Sequence, residues 1–243
     1  MIYGPNLGYT YCGICREAGV DKIERVAPRD HVVLFYENDE ELRRSAGAYL
    51  SDALLAGSVA VMIASPSHRA ILEQELTVTG LDLGELHDSG SWVALDAAGT
   101  VSRLLIDGRP DPEAFESIVG EVIVRAAEQG RSVYAYGEMV ALLWEARQVN
   151  AAIALEGLWN DLGERTPFSL CCSYASASLS DPFLAQMFEI VCSHHSGVVE
   201  PYRDRTQGQP SRESAQAFPA LPEAVTQARH FVGDTALDGG SPT

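Results

Sequence analysis

The feature that most constrains this fold is a series of short segments that are apolar along almost their whole length. They read HVVLFYE at 31–37 and SVAVMIAS at 58–65, and similar runs occupy 91–96, 131–139 and 167–175. A strand with one face in water alternates apolar and polar residues, whereas a strand covered on both faces does not. The sequence therefore predicts a buried sheet whose strands are mainly parallel.

Helical patterns separate these strands. They span 38–57, 66–79, 100–107, 111–130, 141–165 and 180–197. Asn38 is the predicted N-cap of the first helix, with Glu41 in the position of a capping box. Strands that alternate with helices indicate an α/β three-layer sandwich.

Three regions differ in composition. Residues 1–30 form a short appendage that contains Cys12 and Cys15, residues 31–199 form the α/β domain, and residues 200–243 are rich in Pro, Gly and Ser. Such a composition buries little apolar surface, so we expect the last region to be mostly flexible.

The chain is strongly acidic, with 34 acidic and 17 basic residues and a net charge of −17. This charge repels phosphates, so we expect neither direct nucleic-acid binding nor attachment to an anionic membrane. Apolar runs fall well short of the roughly 20 residues of a membrane helix. We therefore expect a cytoplasmic location.

The cysteines raise the possibility of a metal site. Cys12 and Cys15 flank a glycine-containing turn, and Cys192 and His195 lie one helical turn apart near the end of the domain. Together they predict a structural Zn²⁺ site with three thiolates and one imidazole, with His31 as a reserve ligand. Coincidence and redox or iron–sulfur chemistry are the alternatives. Adjacent Cys171 and Cys172 point to opposite faces of one strand and are interpreted as buried small hydrophobes.

A ligand pocket is expected at the carboxyl ends of the strands, where open α/β sheets bind small molecules. The candidate ligand-binding residues are Tyr36, Glu37, Ser65, Tyr136, Glu138 and Trp144. Two of these have competing interpretations, because Glu138 is also placed to cap the next helix and Trp144 to fill the core.

A nucleotide is disfavoured at this edge. The chain contains no G-x-x-x-x-G-K-[ST] loop, and Glu37, Asp39, Glu40 and Glu41 follow the first strand instead. These acids would repel a triphosphate. Their simpler interpretation is a solvated first helical turn.

Several segments resemble the MEDS domain, the DcmR-type sensory domain of methanogen and methylotroph regulators. They include DHVVLFYENDEEL at 30–42, GEMVALLW at 137–144, LEGLWNDL at 155–162 and FSLCCSY at 168–174. The resemblance covers about residues 30–197 and implies a degenerate RecA/KaiC-like fold that senses small molecules, often hydrocarbon derivatives. It also implies an output module, and no recognisable one is present in this sequence.

The expected function is therefore a non-enzymatic sensory domain that binds a small, possibly apolar ligand and regulates a partner protein. A homodimer is also compatible with the sequence. Two alternatives stay open: a KaiC-like nucleotide switch or ATPase, and a metal-responsive regulator that uses the Cys/His cluster.

Overall fold

The computed structural model describes residues 29–177 and 190–199, and within them a sheet of six parallel strands. The strands are β1 (His31–Tyr36), β2 (Val59–Ala64), β3 (Trp92–Asp96), β6 (Val133–Gly137), β7 (Ser169–Ala175) and β8 (Gly197–Val199). Their order is β3-β2-β6-β7-β1-β8. A separate antiparallel pair is formed by β4 (Leu105–Ile106) and β5 (Arg109–Pro110).

The helices cover both faces of the sheet. They are α1 (Asp39–Leu55), α2 (Pro66–Val78), α3 (Leu83–Asp88), α4 (Ala97–Leu104), α5 (Pro112–Phe115), α6 (Glu121–Ala127), α7 (Met139–Glu145) and α8 (Val149–Arg165). A π-helical segment, Glu116–Gly120, joins α5 to α6, and residues 190–194 are also helical.

The core divides into two layers because strand side chains alternate between faces. On one face, Val32 and Leu34 pack with residues of α1 and α2. On the other, Val33 and Cys172 pack with residues of α4 to α8. Helices on both sides of a parallel sheet confirm the predicted three-layer α/β sandwich.

The predicted strands and most helices are confirmed to within a few residues. Sequence analysis missed α3 and the β4–β5 pair, which are too short to show a period. The helix predicted over 100–107 begins earlier, at Ala97, because the Asp96 carboxylate accepts a hydrogen bond from the Gly99 N–H.

The helix predicted over 141–165 is instead two helices. Arg147 lies between α7 and α8 with φ at 58°, in the left-handed region. Its N–H donates to the Trp144 carbonyl, and the Gln148 N–H donates to the Leu143 carbonyl. These two bonds form a Schellman motif, which ends α7 although no glycine marks the position.

The end of the domain also differs from prediction. The helix predicted over 180–197 is described only from residue 190, and it ends at 194. Residues 197–199 then form β8, which pairs with β1 and was not predicted. Cys12, Cys15 and the region 200–243 lie outside the described residues.

Among the described residues, no helix is both long and apolar enough to cross a membrane.

Candidate functional site

A polar network lies at the carboxyl edge of the sheet, centred on Glu138. We call it the Glu138 network; its members are Ser65, His68, Tyr136, Glu138 and Ser173. Glu138 directly follows β6 and is only 4 % exposed. It occupies the N-cap position of α7, but its side chain makes no capping hydrogen bond. The capping interpretation of Glu138 is therefore wrong.

Three donors hold the Glu138 carboxylate. The Ser65 N–H donates to Oε2 at 2.8 Å, while His68 Nδ1 and the Tyr136 hydroxyl each lie 2.8 Å from Oε1. Since Tyr136 donates its only proton to Glu138, the Ser173 hydroxyl at 2.7 Å donates to the Tyr136 oxygen. The network thus joins the start of α2 to β6 and β7.

His68 is partly open to solvent, with its side chain 19 % exposed. Its hydrogen bond to Glu138 raises its pKa above the ordinary 6.5, against the opposing effect of burial. The Asp39 carboxylate lies 3.8 Å from its Nε2, and the Tyr36 ring packs edge-on against it. Sequence analysis did not identify His68, because a single histidine in a first helical turn carries no distinguishing pattern.

The six residues predicted to bind a ligand do not form one surface. Tyr136 and Trp144 are at most 1 % exposed, and Tyr36 is also buried. Trp144 packs against Tyr174 on the opposite face of the sheet from Tyr136. Only Ser65 and Glu37 offer appreciable surface at the carboxyl edge.

The acidic segment after β1 is a self-capped helix start. The Asn38 carboxamide oxygen accepts hydrogen bonds from the N–H groups of Glu40 and Glu41, and the Glu41 carboxylate accepts from the Glu37 N–H. The predicted Asn38 cap is confirmed, and Asp39, Glu40 and Glu41 lie in the first helical turn as expected, whereas Glu37 precedes the cap. These N–H groups are already used by the chain's own side chains.

A second polar group is buried on the face that α8 covers. We call it the His31 cluster; its members are His31, Glu156, Cys172 and His195. One possible ligand atom from each residue lies within 4.8 Å of those of the other three. His31 opens β1, Cys172 lies in β7, Glu156 lies on α8, and His195 follows the helical residues 190–194.

The distances inside the cluster are short. His31 Nε2 lies 3.3 Å from Cys172 Sγ and 3.4 Å from Glu156 Oε2, and His195 Nε2 lies 3.6 Å from Glu156 Oε1. The Tyr174 hydroxyl donates to Glu156 Oε1 at 2.8 Å. By contrast, Glu156 Oε2 and His195 Nε2 make no hydrogen bond to any described residue.

Burial sets the protonation of the cluster. It lowers the pKa of His31 to about 4, with a further contribution from His195. It likewise lowers the pKa of His195 to about 4. The same burial raises the pKa of the Glu156 carboxyl and of the Cys172 thiol. Near neutral pH both imidazoles are therefore uncharged.

The four predicted metal ligands are only partly described. His195 belongs to the His31 cluster, as does the reserve ligand His31. Cys192 is buried one helical turn before His195 but is not a member of the cluster. Cys171 and Cys172 are both buried, as expected, and face opposite sides of the sheet.

Sequence analysis missed Glu156 and Cys172 as possible ligands. The signal for Glu156 was present, because it shares the apolar stripe of Ala152, Leu155 and Trp159 on α8. A carboxylate on such a stripe is buried and needs a partner. No comparable signal distinguishes Cys172 from Cys171.

A groove of about 480 Å³ opens beside the His31 cluster. Its lining mixes apolar and polar groups, among them Trp159, Phe168, His31, Asn160 and His194. A volume of this size falls in the range of small-molecule sites. The groove lies toward the amino end of β1, away from the carboxyl edge where sequence analysis expected a ligand.

The fold defines a three-layer α/β domain on a parallel sheet, with a groove of ligand size. The chain belongs to the MEDS family: the family model, described as "MEthanogen/methylotroph, DcmR Sensory domain", matches residues 30–195. The resemblance noted in the sequence is thereby confirmed, and the role of the chain is sensory.

A solved structure supports the same fold. It is that of an uncharacterized protein, PH0321 from Pyrococcus horikoshii, in complex with an unknown peptide. The two chains share 14 % sequence identity and superpose with a TM-score of 0.54, over 77 % of this chain and 81 % of the other. No curated protein matches the sequence.

Proposed function

We propose that this chain is a non-enzymatic sensory domain that binds a small molecule in the groove beside the His31 cluster and thereby regulates a partner protein. The observation that carries the proposal is the groove itself, which has the volume of a ligand site and mixed walls. The family, whose members are sensory domains, supports it.

The groove suits a ligand with an apolar body and a polar end. Trp159 and Phe168 contribute aromatic side chains to its lining, whereas Asn160 and His194 contribute polar ones. At about 30 Å³ per water molecule, the groove holds the volume of roughly 16 waters. A hydrocarbon derivative with several carbon atoms fits this space better than a one-carbon compound.

The groove is connected to the rest of the sheet through β7. Leu170 of this strand lines the groove, Cys172 belongs to the His31 cluster, and Ser173 belongs to the Glu138 network. Because the side chains of Cys172 and Ser173 face opposite sides of the sheet, a small shift of β7 changes contacts in both helical layers. A ligand that binds one position of β7 better than another shifts the population toward that position.

The partner surface is proposed to be basic. The net charge of −17 gives the chain a field that attracts positively charged proteins and speeds their encounter. A change in the position of the helices on either face of the sheet then changes how that partner binds.

A substitution on α8 tests the groove. Gly163 lines it, and an added Cβ would lie 3.9 Å from Phe168 Cε1, an ordinary contact. Gly163→Leu therefore fills the groove without a backbone clash. Gly157→Leu is the matched control, because a Cβ at Gly157 meets no described atom within 4 Å and Gly157 does not line the groove.

The experiment is a thermal-shift screen with short-chain alcohols, aldehydes and alkyl halides, with Mg-ATP included. We expect compounds that raise the Tm of the wild-type chain to lose at least tenfold in affinity with Gly163→Leu, about 1.4 kcal/mol, and to keep it with Gly157→Leu. If the same compounds still stabilise Gly163→Leu, the proposal that they bind in the groove is contradicted. Stabilisation by Mg-ATP alone would favour a nucleotide switch.

A further inference from the structure

We propose that the His31 cluster is a Zn²⁺ site in which His31, Glu156, Cys172 and His195 each supply one ligand. This inference is independent of the proposed groove ligand. It also differs from the site expected from the sequence, since it uses Cys172 and Glu156 and needs none of Cys12, Cys15 and Cys192.

The spacing of the donor atoms fits a tetrahedral ion. With Zn–N bonds of about 2.0–2.1 Å and Zn–S bonds of about 2.3 Å, the edges of a tetrahedron are about 3.3–3.6 Å. The edges from His31 Nε2 to Cys172 Sγ and to Glu156 Oε2 are 3.3 and 3.4 Å. The four atoms lie within 4.8 Å of one another, so small side-chain adjustments suffice to close the remaining edges.

Both imidazoles are oriented for metal binding by their other nitrogen. His31 Nδ1 lies 2.8 Å from Asn160 Oδ1, and His195 Nδ1 lies 2.7 Å from the Val191 carbonyl oxygen. Because both partners are acceptors, each Nδ1 carries the proton and each Nε2 presents a lone pair to the cluster. A hydrogen bond of this kind is the usual outer support of a zinc-bound histidine.

The Asn160 carboxamide is itself fixed. Its Nδ2 donates to the His194 carbonyl oxygen at 3.2 Å, which leaves Oδ1 to accept from His31. Similarly, the Tyr174 hydroxyl occupies Glu156 Oε1 and leaves Oε2 for the ion. The neighbouring residues thus supply hydrogen bonds to His31 Nδ1, His195 Nδ1 and Glu156 Oε1, the atoms that point away from the centre of the cluster.

Two of the ligand atoms that face the centre have no hydrogen-bond donor among the described residues, and a third, His31 Nε2, meets the weak thiol donor of Cys172 at 3.3 Å. Glu156 Oε2 and His195 Nε2 are buried and make no hydrogen bond to the described residues, and His31 Nε2 faces a carboxylate and a sulfur. Four electron-pair donors around one point are satisfied together by a cation. A carboxylate, a thiolate and two neutral imidazoles also balance the two charges of Zn²⁺, which favours the ion in a buried position.

Four protein ligands leave no open position, so the site is structural. Its ligands come from β1, β7, α8 and the segment that precedes β8. The ion would therefore hold the end of the domain to the sheet.

Metal analysis of the full-length chain, purified under reducing conditions, tests the proposal. We expect about one zinc per chain, a fall in Tm on removal by a chelator, and recovery when Zn²⁺ alone is added back. Cys172→Ala should lose the metal. Cys171→Ala is the matched control, because it removes a neighbouring buried thiol on the other face of β7 and should keep the metal.

Cobalt substitution in the wild-type chain gives a second readout that does not depend on a variant folding. Co²⁺ in this site should show tetrahedral d–d bands and a charge-transfer band of the intensity of one thiolate. An intensity of three thiolates, with metal lost in Cys12→Ala and kept in Cys172→Ala, would overturn the proposal in favour of a site built from Cys12, Cys15 and Cys192. Wild-type chain that binds neither metal would overturn it as well.

Discussion

The hydrogen bond between His68 and Glu138 contributes to the stability of the carboxyl edge of the sheet. The carboxylate is buried, and it accepts from a backbone N–H, a tyrosine hydroxyl and an imidazole. Removing one partner of such a group leaves the others poorly satisfied, which typically costs about 1–3 kcal/mol. The contact between His68 and Glu138 also makes stability depend on pH.

The sign of this dependence follows from the direction of the shift. The pKa of His68 is raised in the folded chain above the 6.5 of an unperturbed histidine. The protonated form is therefore bound more tightly in the folded state, and its stabilisation is complete below about pH 6.5. It is lost as the pH rises through the raised value.

We predict that the stability difference between wild type and His68→Gln is largest near pH 6 and shrinks above the folded pKa of His68. Urea denaturation at a series of pH values measures it. In a Glu138→Gln background the same substitution should lose most of this dependence, because the main partner that raises the pKa is gone. If the difference in unfolding free energy between wild type and His68→Gln is constant with pH, or grows as the pH rises, the proposed stabilisation of protonated His68 by Glu138 is contradicted.

At the scale of elements, the break between α7 and α8 depends on one backbone conformation. Arg147 has φ at 58°, which strains an L-residue by about 1–2 kcal/mol and leaves glycine unstrained. The Schellman hydrogen bonds at residues 147 and 148 require this conformation.

We predict that Arg147→Gly is more stable than Arg147→Ala by about 1 kcal/mol. Both substitutions remove the same side-chain contacts, so their difference isolates the backbone. Within an ordinary helix the order is reversed, because glycine is about 1 kcal/mol worse than alanine. Equilibrium unfolding of the two variants decides the matter, and greater stability of Arg147→Ala would mean that α7 and α8 are continuous.

The same break shows why the elements were predictable and their ends less so. β2 is apolar and buried on both faces, and β7 is buried on both faces although it contains Ser169 and Ser173. Asn38 and Ser65 cap their helices in the way that their sequence positions suggest. Arg147 carries no such mark, because it is neither glycine nor asparagine, the residues that usually end a helix in this conformation.

At the scale of the whole molecule, the parallel sheet brings distant residues together. His31 and Cys172 are separated by 141 positions and yet lie in contact, because β1 and β7 pair in parallel. The pattern of strands predicts the sheet but not its order. The His31 cluster was therefore beyond sequence analysis, although His31 and His195 were each recognised as possible ligands.

The two polar groups lie at different ends of the sheet. The Glu138 network lies at the carboxyl edge, whereas the His31 cluster and the groove lie toward the amino end of β1. Sequence analysis placed the ligand at the carboxyl edge by analogy with open α/β sheets, where that edge is the usual site. Tyr136 and Glu138 are buried at that edge, whereas the groove beside the His31 cluster has a volume of about 480 Å³.

The most direct test of this account is a backbone NMR titration of the wild-type chain with the stabilising compounds from the thermal-shift screen. We predict chemical-shift changes concentrated at Trp159, Asn160, Gly163 and Leu170, with smaller changes along β7. Changes concentrated instead at Ser65, His68 and Glu138 would place the ligand at the carboxyl edge and contradict the proposed groove.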